Sequence, residues 1–324
     1  MKAFHKQLLN WYSNVRRDLP WRQTKNPYHV WISEIMLQQT RVAAVIPYYE
    51  KFLARFPNIE SLANASEEDL LKHWAGLGYY TRARNLQTAA KQMSDGVFPS
   101  RYHEIRALAG IGDYTAAAVA SIAFGHAYAA VDGNVLRVLA RLTNDDSDIA
   151  APATRKRLAE EAQRRLDASH PGNYNQAIME LGATVCTPRN PNCGKCPVSE
   201  WCEARAANTQ HLLPVKLGTQ KQEQIDLNLL VIERDGKILL RPSKQVSGFW
   251  DLPEKKDLPK AVSGKHLRSF PHQITFRKYR CNILAGTLKG SVPGEFRWVK
   301  DPASGSLPIS TITRKALTGS TQPQ

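Results

Sequence analysis

The chain has 324 residues, enough for two domains of ordinary size, and its 44 Lys and Arg against 29 Asp and Glu leave a formal charge of +15, an excess that suits a polyanionic partner through counterion release. No stretch approaches the roughly 18 consecutive apolar residues of a membrane helix, and the start MKAFHKQLLN lacks the apolar centre of a secretory signal, so no membrane association is expected and the chain reads as soluble and cytoplasmic. Four of the five cysteines fall between Cys186 and Cys202, which is not the pattern of a disulfide framework and points to metal ligation.

Residues 1–203 read as helices with short breaks, apolar positions recurring every three to four residues and Gly or Pro marking the stops. The first informative helix is expected over 27–39, with Asn26 as its N-cap and Pro27 in its first position. Glu34 is its anomaly. Val30, Trp31 and Leu37 lie four and three residues before it and three after, so its carboxyl falls on the apolar stripe. Desolvation there raises a carboxyl pKa, the condition for donating a proton near neutrality. An acid at a stripe edge, or one that is ion-paired, is the plainer alternative.

LAGIGDYTA, Leu108 to Ala116, is a Gly-x-Gly turn between a helix ending near Leu108 and one starting near Thr115. So tight a hairpin exposes backbone N–H groups beside a helix N-terminus, a sequence-independent phosphate site, and this accounts for glycine at Gly110 and Gly112. Plain helix packing is the competing reading. Further on, Asp132 precedes Gly133, Asn134 and a helical run to Leu142, where it can serve as an N-cap. The same position keeps a carboxylate ionised. One carboxyl pushed up in pKa and one pushed down form a pair able to split an N-glycosidic bond, the first protonating the departing base and the second stabilising the cationic sugar.

Cys186, Cys193, Cys196 and Cys202 form C-x6-C-x2-C-x5-C on a loop too short for a core of its own, so the four thiols share one site. From ligand type alone a structural zinc and an iron-sulfur cluster both remain open. Arg189 and Lys195 on this loop are candidate phosphate contacts or merely solvated, and Cys281 is a packed thiol apart from the cluster.

Residues 204–225 are polar and aperiodic, the expected linker. Then DLNLLVIERDGKILLRPS predicts two strands around a turn at Asp235-Gly236, with further strands near KYRCNILAG and GEFRWV, so residues 226–316 form an α+β or β-rich module. The tail 317–324 is expected to be disordered.

PYHVWISEIMLQQTRV, HWAGLGYYTRARNL, LAGIGDYTA, AVDGNVLRVLAR and the wide cysteine spacing together resemble the MutY-type adenine glycosylases of the helix-hairpin-helix, iron-sulfur superfamily over residues 1–203. The resemblance implies a mainly α helix-hairpin-helix glycosylase domain with a [4Fe–4S] loop at 186–202, and, from SGFWDLPE, an α+β Nudix-like C-terminal domain that recognises rather than hydrolyses, since it has no Nudix hydrolase box. It implies Glu34 as the acid toward N7 of adenine, Asp132 as the group that steadies the cationic intermediate, and Asn134 and Tyr114 as completing the site. Gln38 and Gln39 would contact bases at the lesion, while Leu77 and Tyr79 would wedge into the stack, unless they are core. Where endonuclease III relatives carry a Schiff-base lysine this chain has Tyr114, which implies base removal without strand cleavage.

The family's Phe-Ser-His turn toward 8-oxoguanine corresponds here to Phe270-Pro271-His272, and Pro271 lacks both hydroxyl and N–H, leaving Ser269 as a neighbour able to replace it. The implied partner is duplex DNA with an adenine mispair, bound by a monomer in the cytoplasmic nucleoid, and removal of residues 226–316 would lower selectivity without touching the chemistry. A bifunctional pyrimidine-damage lyase and a non-catalytic DNA-binding protein are the competing functions; Tyr114 argues against the first, and the presence of both Glu34 and Asp132 against the second.

Overall fold

The computed structural model describes residues 1–218, 222–274, 276–292, 294–304 and 307–318. They divide into two compact units, Met1–Ala63 with Asn85–Gly218, and Asn64–Arg84 with the described part of residues 219–324.

The first unit is helical. Its elements are α1 (Lys2–Val15), α2 (Pro27–Leu37), α3 (Val42–Arg55), α4 (Ile59–Ala63), the second half of a helix at Thr81–Gln92, and then Tyr102–Ala107, Asp113–Ile122, Gly133–Leu142, Pro152–Arg165, Pro171–Thr184 and Glu203–Ala206. Asn26 caps α2 as expected, its side chain accepting from Tyr28 N at 2.9 Å, and Pro27 opens it. Nearly every α2 residue from Tyr28 to Met36 is buried, so α2 is an interior helix rather than a surface amphipathic one. It ends at Leu37, short of the expected 39: Gln38 and Gln39 lie in the turn to α3, Gln39 in the left-handed region at φ 57.

One core of this unit joins Phe4 and Leu8 of α1 to Val138 and Leu139 of the 133–142 helix, Leu158 of the 152–165 helix, and Ile178 and Leu181 of the 171–184 helix. Two glycines of the last helix permit close approach. A Cβ on Gly172 would fall 2.8 Å from Ser121 O, and one on Gly182 would fall 2.7 Å from Asn134 Cβ. Residues 204–218, read as linker, pack in this unit. Ala204 and Leu213 are buried, Ile149 N–H donates to Val215 O at 2.9 Å, and Arg141 Nε donates to Leu213 O at 2.9 Å.

In the second unit the strands are β1 (Glu223–Arg234), β2 (Lys237–Pro242), β3 (Trp250–Asp251), β4 (Ala261–Ile274), β5 (Arg277–Leu288) and β6 (Arg297–Lys300), in the order β3-β2-β1-β5-β4 with β6 also on β2. β1 and β5 are parallel and the other pairs antiparallel, a mixed sheet in an α+β module. The β1–β2 turn stands where expected, with Asp235 at φ 51 and Gly236 at φ 68, the two left-handed residues of a type I′ hairpin. One face of the sheet packs Phe270, Cys281 and Ile283 against Ile312 and Ala316 of a helix at Thr311–Thr318, and the other packs Leu230 and Leu239 against Leu258. That helix takes up the first two residues of the expected tail; 319–324 lie outside the described residues.

Phe270-Pro271-His272 is not a turn. It runs within β4 against Cys281, Arg280 and Tyr279 of β5, because the chain turns back only after Ile274. Phe270 is therefore buried in the core and His272 half-buried, its pKa lowered to about 4 by burial and by Lys315, while Pro271 and Ser269 face outward.

Candidate active site

One cleft of about 630 Å³ in the first unit collects Glu34, Gln38, Gln39, Tyr114, Asp132 and Asn134. Glu34 reaches it from the buried helix α2 and is only 6% exposed. Burial drives its pKa up; the hydrogen bond from Tyr114 lowers it, the Asp132 charge raises it and Arg22 lowers it, and the outcome is about 7. The Tyr114 hydroxyl donates to Glu34 Oε2 at 2.5 Å and lies 3.4 Å from Met179 Sδ. Burial, with the nearby acids Glu34 and Asp132, lifts the Tyr114 phenol well above its ordinary pKa, so it acts here as a donor.

Asp132 is the N-cap of the 133–142 helix, as one reading of the sequence expects, and still faces the cleft. Its Oδ1 accepts from Val135 N–H at 2.8 Å and its Oδ2 from the Asn134 side chain at 2.8 Å. Asn134 is fixed in turn: Arg137 Nη2 donates to its Oδ1 at 2.9 Å, and the same guanidinium donates to Gly182 O at 2.8 Å and to Cys186 O at 2.9 Å. Arg137 thus joins the cysteine loop to Asp132 through Asn134 alone. Gln38 Nε2 lies 3.5 Å from Thr115 Oγ1 at the rim of the cleft.

Three residues of the cleft escaped the sequence reading. Glu180, 1% exposed, accepts from Arg17 through both oxygens at 2.7 Å and from Arg22 at 2.7 Å. Burial would raise its pKa, but the hydrogen bonds from Arg17 and Arg22 and their charges overcome this and hold it at about 2. Glu180 carries the same signal as Glu34, an acid among Ala177, Ile178 and Leu181; its partners lie more than 150 positions away and leave no local trace. Arg17, Arg22 and Glu180 thus line the same cleft as Glu34, the two guanidiniums held by the Glu180 carboxylate.

The hairpin stands between helices ending at Ala107 and beginning at Asp113, two residues before the expected start. Gly110 is required twice over, by its φ of +73 and because a Cβ there would lie 2.5 Å from Asn85 Cβ. Gly112 is extended, at φ −93, and faces open space, so backbone strain does not demand it as the sequence reading supposed. Asp113 at the helix start pairs with Arg106 at 2.6 Å, which lowers its pKa.

Cys186, Cys193, Cys196 and Cys202 line one small pocket with Arg141 and Val198. Four thiolates can serve either a tetrahedral zinc or an iron-sulfur cluster. Burial pushes the Cys196 thiol up to about 12, helped by the other three cysteines, so this donor set calls for a cationic centre to hold it deprotonated. Arg141, 2% exposed, donates to Cys186 Sγ at 3.2 Å and to Thr187 O at 2.7 Å, offsetting negative charge in the cavity. Arg189 and Lys195 are exposed.

The remaining expected residues belong to the second unit. Leu77 is buried at 6%, whereas Tyr79 is 43% exposed at φ 47. Phe270 and His272 sit in β4 as described.

Comparison with known proteins fits this geometry. Residues 32–164 match the HhH-GPD superfamily of base excision DNA repair proteins, and residues 186–202 match the iron-sulfur binding domain of endonuclease III. A thermostable thymine-DNA glycosylase structure aligns at 31% identity with a TM-score of 0.58, over 64% of this chain and 96% of that one. The chain belongs to the HhH-GPD superfamily. The chain is also similar to adenine DNA glycosylases: it is 45% identical over 223 residues to that of Homo sapiens and 44% over 210 residues to that of Buchnera aphidicola (strain Bp). These alignments take in 65% and 64% of this chain but only 41% and 59% of the relatives. An endonuclease III–DNA complex, at 22% identity and TM-score 0.53, shares the fold. By the match to the iron-sulfur binding domain the chain carries a [4Fe–4S] cluster, and Cys186, Cys193, Cys196 and Cys202 all fall within the matched residues.

Proposed function

We propose that the chain is a monofunctional DNA glycosylase that removes adenine mispaired with 8-oxoguanine or guanine, acting as a monomer on duplex DNA at the cytoplasmic nucleoid. The observation that carries this is the pairing in one cleft of Glu34, buried and poised at about 7, with Asp132. Relatives named adenine DNA glycosylases and neighbours solved with DNA support it.

In this reading the adenine is extruded into the cleft. Glu34 gives its proton to N7, the N9–C1′ bond breaks with its electron pair leaving on the purine, and the Asp132 carboxylate stabilises the cationic sugar until water adds at C1′ and loses a proton to a carboxylate. Tyr114 holds one Glu34 oxygen, leaving the other to face the base, and Arg17 and Arg22, aligned by Glu180, offer N–H donors to it. The cluster, when bound, holds the 186–202 loop rigid, with Arg189 and Lys195 displayed toward phosphates; the 110–113 hairpin supplies backbone N–H groups to the same end. Gln38 and Gln39 face bases at the lesion, and Tyr79 is the wedge. In the C-terminal module Phe270 is buried, so contact with 8-oxoguanine falls to outward groups such as Ser269, whose hydroxyl donates to Asn282 at 2.7 Å.

The test is strand scission on duplexes holding adenine opposite 8-oxoguanine or guanine. Breaks that require alkali support the reading. Breaks without alkali, with a borohydride-trapped protein–DNA adduct, indicate a lyase instead, and no product overturns the glycosylase assignment.

A further inference from the structure

Tyr79 stands on a loop that its own helices do not hold alone. Between α5 (Glu67–Trp74) and α6 (Thr81–Gln92), Gly76, Gly78 and Tyr79 take φ values of 115, 69 and 47; the glycines adopt these freely, but Tyr79 in the left-handed region is strained and persists there only where the surroundings impose it. From the helices, Trp74 Nε1 donates to Gly78 O at 3.0 Å and Arg82 Nη2 to Leu77 O at 3.1 Å, the Arg82 guanidinium lying over the Tyr79 ring at 5.3 Å.

The other support comes from the C-terminal module. Residues 64–84 belong to the same compact unit as the sheet. Phe249, 1% exposed, packs on Tyr80, 8% exposed, with ring centroids 4.1 Å apart. Arg84, paired with Glu67 at 2.7 Å, donates to the Ser247 carbonyl. Gly248, at φ +76, lies so close to α5 that a Cβ would come within 3.1 Å of Leu71 Cδ1. The Ser247-Gly248-Phe249 turn thus packs directly on the residue after the exposed tyrosine.

We propose that Phe249 is a positioning residue for base extrusion: it fixes Tyr80 and thereby the Tyr79 wedge. The C-terminal module then contributes to extruding adenine from any duplex and not only to selectivity. This rests on the glycosylase reading above. It also reverses the expectation that removing residues 226–316 leaves excision intact, because that removal uncovers Leu71 and Tyr80.

The test uses the full-length chain. Phe249→Ala is expected to slow single-turnover adenine release from an adenine–guanine duplex by a few fold to about tenfold, the scale of one lost aromatic pair. Release from a duplex with the adenine already unstacked in a single-nucleotide bulge should change by less than about twofold, since no wedge work remains. In a Tyr79→Ala background Phe249→Ala should add nothing, as expected of two residues acting in one step. Fluorescence of 2-aminopurine in place of the adenine reports insertion whether or not release follows, so failure of the glycosylase reading is told apart from failure of this one. Equal slowing on both duplexes, or a full effect on top of Tyr79→Ala, overturns the proposal. Arg84→Ala removes the Ser247 contact without opening the core, and the same comparison is read from it if Phe249→Ala does not fold.

Discussion

The Tyr114 hydroxyl donates to Glu34 Oε2 at 2.5 Å, joining the first turn of one helix to the interior of another 80 positions earlier. The bond selects which Glu34 oxygen is free to carry the transferable proton. It also opposes the burial that raises the Glu34 pKa. Tyr114→Phe should therefore move the decline of adenine release with pH to higher pH, while slowing the optimum by no more than about tenfold, the scale of one neutral hydrogen bond. A pH–rate profile of the variant against wild type reads both effects.

Glu34 also weighs on stability. Its folded pKa of about 7 lies above the unfolded value of 4.5, so folding is favoured while it is protonated, and that contribution is lost as pH rises from 4.5 through about 7. Glu34→Gln, which can still accept from Tyr114, should be more stable than wild type above pH 7 by on the order of 2 to 3 kcal/mol, and by little near pH 4. Urea unfolding at pH 4.5, 6 and 8 measures it.

Much of this was legible because it is local. An acid three and four residues from apolar neighbours is visible in sequence, as are the Asp235-Gly236 hairpin and the Gly110 turn, each written in adjacent residue types. What was hidden depends on distance or on exposure. The Arg17, Arg22 and Glu180 network joins the two ends of the helical unit. β4 has no period of two because residues 262–267 are exposed on both faces, so nothing local in the sequence corrected the turn that the resemblance implied at Phe270-Pro271-His272. That residues 64–84 pack with the C-terminal sheet leaves no trace in either segment alone.

The two roles of Asp132 separate in Asp132→Asn. Asparagine still caps the helix through Val135 N–H, but its amide meets the Asn134 amide that donates to Oδ2, so stability should fall by on the order of 1 kcal/mol. The rate should fall further, by about 100-fold or more, since the charge that stabilises the sugar cation is gone. Thermal melting and single-turnover release on one preparation distinguish the two. Matching modest losses would leave capping as its only role.

Arg137 serves Cys186 O, Gly182 O and Asn134 at once. Arg137→Met leaves three acceptors without that donor at a site 9% exposed, so iron content, read as absorbance near 400 nm per chain, and the rate of adenine release should both fall, with a stability loss of about 2 to 4 kcal/mol. Full iron content with an unchanged rate would show that the link between loop and cleft carries no function.

The central claim is that Glu34 is the acid, and it is tested most directly by single-turnover adenine release from pH 5 to 9 for wild type and Glu34→Gln on the same duplex. Wild type should lose rate as pH rises through about 7, where Glu34 gives up its proton, while Glu34→Gln should be inactive across the range yet bind the duplex within a few fold of wild type. A Glu34→Gln variant that keeps most of its rate, or a wild-type rate that does not change through pH 7, would contradict the account.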